Sequence, residues 1–167
     1  MSESDQNGQL AKLVRNQIPS LMRFAVRLTG DLHSAEDVVQ ESLLRAARSA
    51  SGFEGRASIR TWLTQIMINV YRTQRAAARK TEEFDESQHL KPTASSEQLL
   101  ESQETQEQLR ELIQQLPDRQ REVLILTAWE DYSVPEVAEL LGITAQNVYS
   151  NLSAARARLK QSLNLGG

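Results

Sequence analysis

The chain of 167 residues contains no cysteine, so it has neither a disulfide framework nor a thiolate metal site. This agrees with a cytoplasmic protein. Only two histidines are present, His33 and His89, far apart and without a nucleophile–base set or paired carboxylates around them. They offer no catalytic or metal site, and no glycine-rich phosphate loop or other cofactor box is present. An enzyme is therefore not expected, and neither is a cofactor. No apolar run approaches the roughly 20 residues of a membrane span, and the polar, acidic start "MSESDQNGQL" is no secretory signal. Glycine (7) and proline (4) are scarce and no alternating strand pattern of useful length occurs, so nearly everything reads as helix.

What is present is an uneven charge. The net value of −3 alone argues against a nucleic-acid partner. Residues 1–80, however, carry twelve Lys/Arg against seven Asp/Glu, a balance of +5. Residues 81–107 carry one Lys against eight acids, −7, and residues 108–167 carry six against seven, −1. An acidic middle hides a basic first segment.

Helical periodicity supplies the elements. Leu10, Val14, Ile18, Leu21, Ala25 and Leu28 mark a first helix, which Pro19 should kink or restart and Thr29–Asp31 should end. A second runs from about Ser34 to Ala50, with Val38, Val39, Leu43, Ala46 and Ala47 on its apolar side. The loop Ser51–Ser58 carries two glycines. A third helix has Ile59, Trp62, Leu63, Ile66 and Val70 on one face. Arg72, Arg75 and Arg79 lie on the other, near Thr64 and Tyr71, a mix of basic and aromatic groups suited to a melted, stacked strand. A solvated helix face is the plain alternative. Residues 81–107 read as an acidic linker, helical from about Glu97. Beyond it Leu109, Leu112, Ile113 and Leu116 form a short helix stopped by Pro117, and Asp118 is placed to cap the next, with Val123, Leu124, Leu126 and Trp129.

The stretch "SVPEVAELLGITAQNVYSNLSAARARL" (133–159) has the outline of a helix-turn-helix. Ser133 and Glu136 form a capping box, Pro135 sits in the first turn, Gly142 suits the C-cap and Thr144 caps the last helix. Val148, Leu152, Ala155 and Leu159 make a buried stripe. The opposite face holds Gln146, Asn147, Ser150 and Ser153, flanked by Tyr149 and Lys160. Amides suit adenine edges and hydroxyls serve either base type. Arg156, Arg158 and Lys160 come late, where such a helix leaves the groove and meets phosphate. Read without context, the pattern also fits a helical hairpin in a bundle. The fold class expected is all-α: two small helical bundles, 8–80 and 108–165, joined by a flexible acidic linker, 81–107, and loosely arranged about it.

The segments "AEDVVQESLLRA" (35–46), "GFEGRASIRTWLTQIMINVYRTQR" (52–75) and "LPDRQREVLILTAWEDYSVPEVAELLGITAQNVYSNLSAARARL" (116–159), in this order, resemble an extracytoplasmic-function (ECF, group IV) sigma factor of bacterial RNA polymerase. The resemblance spans nearly the whole chain. It implies that Asp37, Gln40 and Glu41 dock on the β′ clamp coiled coil of core polymerase, with further contact to the β subunit. It implies that Phe53, Glu54, Gly55 and Arg56 capture a base flipped from the minus-ten element. Asn69, Arg72, Arg75 and Arg79 would meet the upstream edge of that element, while Trp62 is core. Thr144, Gln146, Asn147, Tyr149, Ser150, Ser153, Arg156 and Lys160 would read the minus-thirty-five element. An anti-sigma protein is the regulatory partner implied; insertion in a membrane is not. The sequence departs from the family's usual T-V-x-S-R-L-x-R-A in the recognition helix. Asn147 replaces Thr, Asn151 and Ala154 stand where Arg is usual, and Thr73 sits where Asp is common. Two competing readings are a helix-turn-helix regulator acting without polymerase, and a helical adaptor that binds only protein.

Overall fold

A computed structural model describes residues 2–82 and 100–165. Among these, every regular element is helical. In chain order they are α1 (Glu3–Thr29), α2 (Leu32–Arg48), a 3-10 turn (Ala50–Gly52), α3 (Ile59–Glu82), α4 (Leu100–Gln115), α5 (Asp118–Ala128), α6 (Val134–Leu141) and α7 (Ala145–Leu165). The stretch 83–99 of the expected linker, with His89, lies outside the described residues. Residues 100–107 of the expected linker are helical, in line with helix from about Glu97, and run on into α4. Among the described residues no helix is long and apolar enough to cross a membrane.

α1 does not restart at Pro19; it is one helix whose second half buries Leu21, Phe24, Ala25 and Leu28. It ends at Gly30, which adopts φ 85° and donates its N–H to the Val26 carbonyl. Asp31 then accepts from the Ser34 N–H at 2.7 Å and caps α2, so α2 begins two residues earlier than the periodicity alone indicates. α2 buries Ala35, Val38, Val39, Ser42 and Ala46 against α1, and α3 closes the group with Leu63, Met67, Ile68 and Val70.

In the second group α5 and α6 pack on α7. The α6 capping box forms as the sequence indicates: the Glu136 N–H donates to Ser133 Oγ at 3.3 Å and the Ser133 N–H to Glu136 Oε1 at 3.0 Å. Gly142, at φ 65°, turns the chain, and Thr144 Oγ1 accepts from the Asn147 N–H at 3.1 Å to start α7. Asp118 corrects its expectation. It is the first residue of α5 rather than its cap, Pro117 holds the cap position without a side-chain bond, and the Asp118 carboxylate turns to α3 instead.

The loose arrangement expected of the two groups is also corrected. α5 is buried at every residue from Arg121 to Leu126 because α7 covers one side and α1 of the first group the other. Buried apolar residues of both groups, Leu28 and Met67 as well as Ile113, Ile125 and Val148, belong to one continuous core cluster. Two small bundles, each with a thin core, gain burial by sharing it.

Candidate polymerase and nucleic-acid interfaces

The polar side of α2 is open. Gln40 is exposed, and Asp37 is more than half exposed with only His33 Nε2 at 3.9 Å beside it. Glu41 is held by Arg45, i to i+4, at 3.1 Å. Leu44, 52% exposed, follows Gln40 by one turn and completes a stripe of acid, amide and apolar side chains that no other described helix covers. Sequence reasoning missed Leu44, because alternating burial along an amphipathic helix does not identify which leucine stays outside.

The loop after α2 is also presented to solvent. Glu54 and Arg56 pair at 3.0 Å and are both largely exposed, around Gly55 at φ 73°. Phe53 is half-buried, its ring 4.9 Å from Trp62 and tilted 44° to it. Trp62 therefore backs the loop.

The basic side of α3 is differently placed. Asn69 is exposed, but the arginines are taken up by α5. Arg72 grips Glu122 with both ends, Nε to Oε1 at 3.3 Å and Nη2 to Oε2 at 3.1 Å. Arg75 Nε lies 3.4 Å from Asp118, aimed too poorly to donate, and Arg79 Nη2 donates to the same carboxylate. Further along the seam Arg27 of α1 and Arg60 of α3 both hold Glu130, at 3.3 and 3.2 Å. Arg60 also stacks 4.6 Å above the Tyr132 ring, and the Tyr132 hydroxyl donates to Thr64 Oγ1 at 3.1 Å. Thr64 and Tyr71, read as part of the strand-binding surface, are buried and cannot stack on a base. Burial pushes the Tyr71 phenol above its ordinary value, partly offset by the Arg121 and Arg75 guanidiniums.

Arg121, 1% exposed, is a buried charged residue that sequence reasoning missed, as are Glu122 and Glu130. It donates to the carbonyls of Ile113, Gln114 and Leu116 at 3.1, 2.6 and 2.9 Å, and so closes the C-terminal end of α4. The available signal was an arginine two residues ahead of the apolar run Val123–Leu126.

On α7 the face opposite Val148, Leu152 and Ala155 is open. Gln146, Asn147, Ser150, Ser153, Arg156 and Lys160 are exposed, as is Thr144 at the cap, and Tyr149 is 59% exposed. Of the two positions lacking the usual arginine, Asn151 is half-buried and donates to the Asn147 carbonyl at 2.8 Å, and Ala154 is half-buried. Glu136, in the capping box, is held below the usual carboxylate value by the Ser133 N–H and hydroxyl.

Comparison with known proteins accounts for this arrangement. Residues 13–82 match Sigma-70 region 2 and residues 106–159 match Sigma-70, region 4. The chain is 33% identical over 153 residues to the ECF RNA polymerase sigma factor EcfG of Rhodopseudomonas palustris, covering 90% of this chain and 82% of that protein. It is 32% identical over 157 residues to the RNA polymerase sigma factor YlaC of Bacillus subtilis, covering 90% of each. Its fold is similar to that of the sigma factor RpoE of Bartonella quintana, solved with the anti-sigma factor NepR. The TM-score is 0.73, the identity 26%, and 96% of this chain and 97% of that one are covered. With both sigma regions in order and relatives matched over most of their length, the chain belongs to the extracytoplasmic-function sigma factors of RNA polymerase.

Proposed function

We propose that the chain, a group IV sigma factor acting in the cytoplasm without enzymatic activity of its own, binds core RNA polymerase and directs promoter recognition, melting and initiation. The observation that carries this is the joint exposure of two surfaces in a chain with both sigma regions. These are the Asp37–Gln40–Glu41–Leu44 stripe on α2 and the amide and hydroxyl face of α7. The first serves the β′ clamp coiled coil and the second the minus-thirty-five element. Phe53, Glu54, Gly55 and Arg56 form the loop for a flipped minus-ten base, where pocket contacts offset an extrusion cost of a few kcal/mol. Asn69, Arg72, Arg75 and Arg79 serve the upstream edge of the same element. The working units are 8–80 and 108–165 with the acidic tether 81–107 between them. An anti-sigma protein, as bound by the similar RpoE, is the regulatory partner. A regulator working without polymerase is disfavoured, because it has no use for a sigma region 2 over residues 13–82.

The test is competition for core polymerase. Asp37→Ala with Gln40→Ala should lose affinity while the circular dichroism stays helical. Unchanged affinity would remove the docking role from α2.

A further inference from the structure

A cleft of about 290 Å³ opens between α3 and α5. Its walls carry four guanidiniums, from Arg72, Arg75 and Arg79 on α3 and Arg119 on α5, against the two carboxylates of Asp118 and Glu122. The acids are saturated. Glu122 Oε1 accepts from Arg72 Nε at 3.3 Å, and Oε2 accepts from Arg72 Nη2 and Arg119 Nη1 at 3.1 and 3.2 Å. Asp118 Oδ2 accepts from Arg79, and Oδ1 has Arg75 at 3.4 Å and Arg121 at 3.6 Å beside it. The guanidiniums are not saturated. Each carries five N–H donors, and among the described residues these four meet their acids through only one or two nitrogens apiece. Arg75 Nε is buried with no hydrogen-bond partner at all. A buried donor without an acceptor is costly, and an anion entering the cleft would relieve it.

The arrangement selects the kind of anion. Planar guanidinium forks suit carboxylate and phosphate. A carboxylate brings one charge and two oxygens, which a single fork exhausts. Four converging guanidiniums with donors to spare are matched by an anion with more oxygens and at least two charges. The space is that of about ten water molecules at roughly 30 Å³ each, enough for phosphate or pyrophosphate. Tyr71, the aromatic residue of the lining, is itself buried and offers a nucleobase no face to stack on.

We propose that this cleft is a binding site for a compact, multiply charged phosphate anion of the pyrophosphate kind, held by Arg72, Arg75 and Arg79 from α3 and by Arg119 from α5. A nucleic-acid strand offers the same chemistry as singly charged phosphodiesters. The free anion suits the site better, because it brings more charge and more oxygens into a concave space whose fourth arginine belongs to α5. Held there, it touches both helices at once, so its binding stabilises the folded chain by mass action. The site stands on the geometry of the cleft and does not need the sigma-factor reading.

The test is a calorimetric titration of the full chain with sodium pyrophosphate, with sodium acetate at equal ionic strength as the comparison and the melting temperature followed in parallel. Saturable binding and a rise in melting temperature are expected with pyrophosphate and not with acetate. Ala76 is exposed and lines the cleft between the arginines, and none of the cleft's ion pairs involves it. Ala76→Glu therefore sets a carboxylate into the site with those pairs intact, and should weaken pyrophosphate binding about tenfold or more. Ala76→Gln, of the same shape without the charge, should bind as the parent does. Arg75→Lys, which keeps the charge and loses the fork, should bind more weakly than the parent. Absence of saturable pyrophosphate binding overturns the site, as does acetate acting equally well or an Ala76→Glu chain that binds like the parent. A fluorescein-labelled single-stranded 20-mer of random sequence separates the two sources of phosphate. If Ala76→Glu weakens binding of the 20-mer while pyrophosphate does not bind, the cleft serves strand phosphate alone and the free-anion site is overturned. Polymerase competition through α2 reads separately, so losing the anion site leaves the sigma-factor assignment standing.

Discussion

Arg121 of α5 donates from Nη1 to the hydroxyl of Tyr71 on α3, 2.6 Å away across the seam between the two helix groups. One buried guanidinium thus ends α4, through three carbonyls, and ties it to the other group. Arg121→Met keeps the side chain's length but leaves those carbonyls unmet, and should cost about 3 kcal/mol or more. Tyr71→Phe removes a single acceptor and should cost about 1–2 kcal/mol. Urea unfolding of the full chain measures both. Equal small losses would mean that water replaces the guanidinium.

The same phenol makes the packing sensitive to alkali. Its value is raised by burial, so the folded chain holds the Tyr71 proton where the unfolded chain has released it. The stability from the neutral form is complete below about pH 10, the unfolded value, and is lost as pH rises through the folded one. Unfolding followed at increasing pH should therefore show a decline above about pH 10 that Tyr71→Phe reduces.

Glu136 gives the opposite sign. Bonds from Ser133 hold its carboxyl low, so its contribution is present above the ordinary carboxylate value and fades as pH falls through the lowered one. Ser133→Ala should destabilise α6 by about 1 kcal/mol at neutral pH but keep most of this acid limb, because the Ser133 N–H still donates to the carboxylate, whereas Glu136→Gln should remove the limb. A Glu136→Gln chain with the same acid profile as the parent would locate the limb elsewhere.

Much of this was legible beforehand because it is local. Capping at Ser133–Glu136, the turn at Gly142 and the start of α7 at Thr144 are set by residues within four positions of each other, and all three form. Asp118 was misread for the complementary reason. Its neighbours in sequence make it a cap, whereas its partners Arg75 and Arg79 lie 43 and 39 residues away. Periodicity likewise placed Tyr71 beside the arginines but could not tell that α5 covers that flank. Asp37 and Gln40 on α2 and the α7 face were legible as exposed positions because, among the described residues, nothing folds back over them.

The loop after α2 should behave as a base-capturing element. Phe53 leans on Trp62 while Glu54 and Arg56 stand in solvent. Alanine at Phe53 and Glu54 should weaken binding to a single-stranded minus-ten oligonucleotide more than to a duplex minus-thirty-five element, compared by fluorescence anisotropy. Equal losses on the two probes would argue for a general defect in the fold.

The recognition helix poses the sharpest question, since α7 carries no lysine or arginine before Arg156. Its early turns present Gln146, Asn147, Tyr149 and Ser150 to solvent, and Arg156 and Lys160 extend the same open face two to four turns on. Amides and hydroxyls discriminate bases, whereas late cations neutralise phosphate. Gln146→Ala should thus change which base is preferred, by about 1–3 kcal/mol where the contact is bidentate, and Ser150→Ala by less. Arg156→Ala and Lys160→Ala should weaken all sequences alike and lower the salt slope by about one unit per phosphate lost. The family's missing cations supply the converse. Asn151→Arg breaks only one bond, to the Asn147 carbonyl, and should raise affinity and steepen the slope. Ala154→Arg should do the same if its chain can leave a half-buried position. The measurement is a titration of the full chain on randomised duplexes at several salt concentrations. If base preference is the same in the Gln146 and Ser150 variants as in the parent, α7 does not read DNA with its amide and hydroxyl face, and its contacts are to phosphate alone.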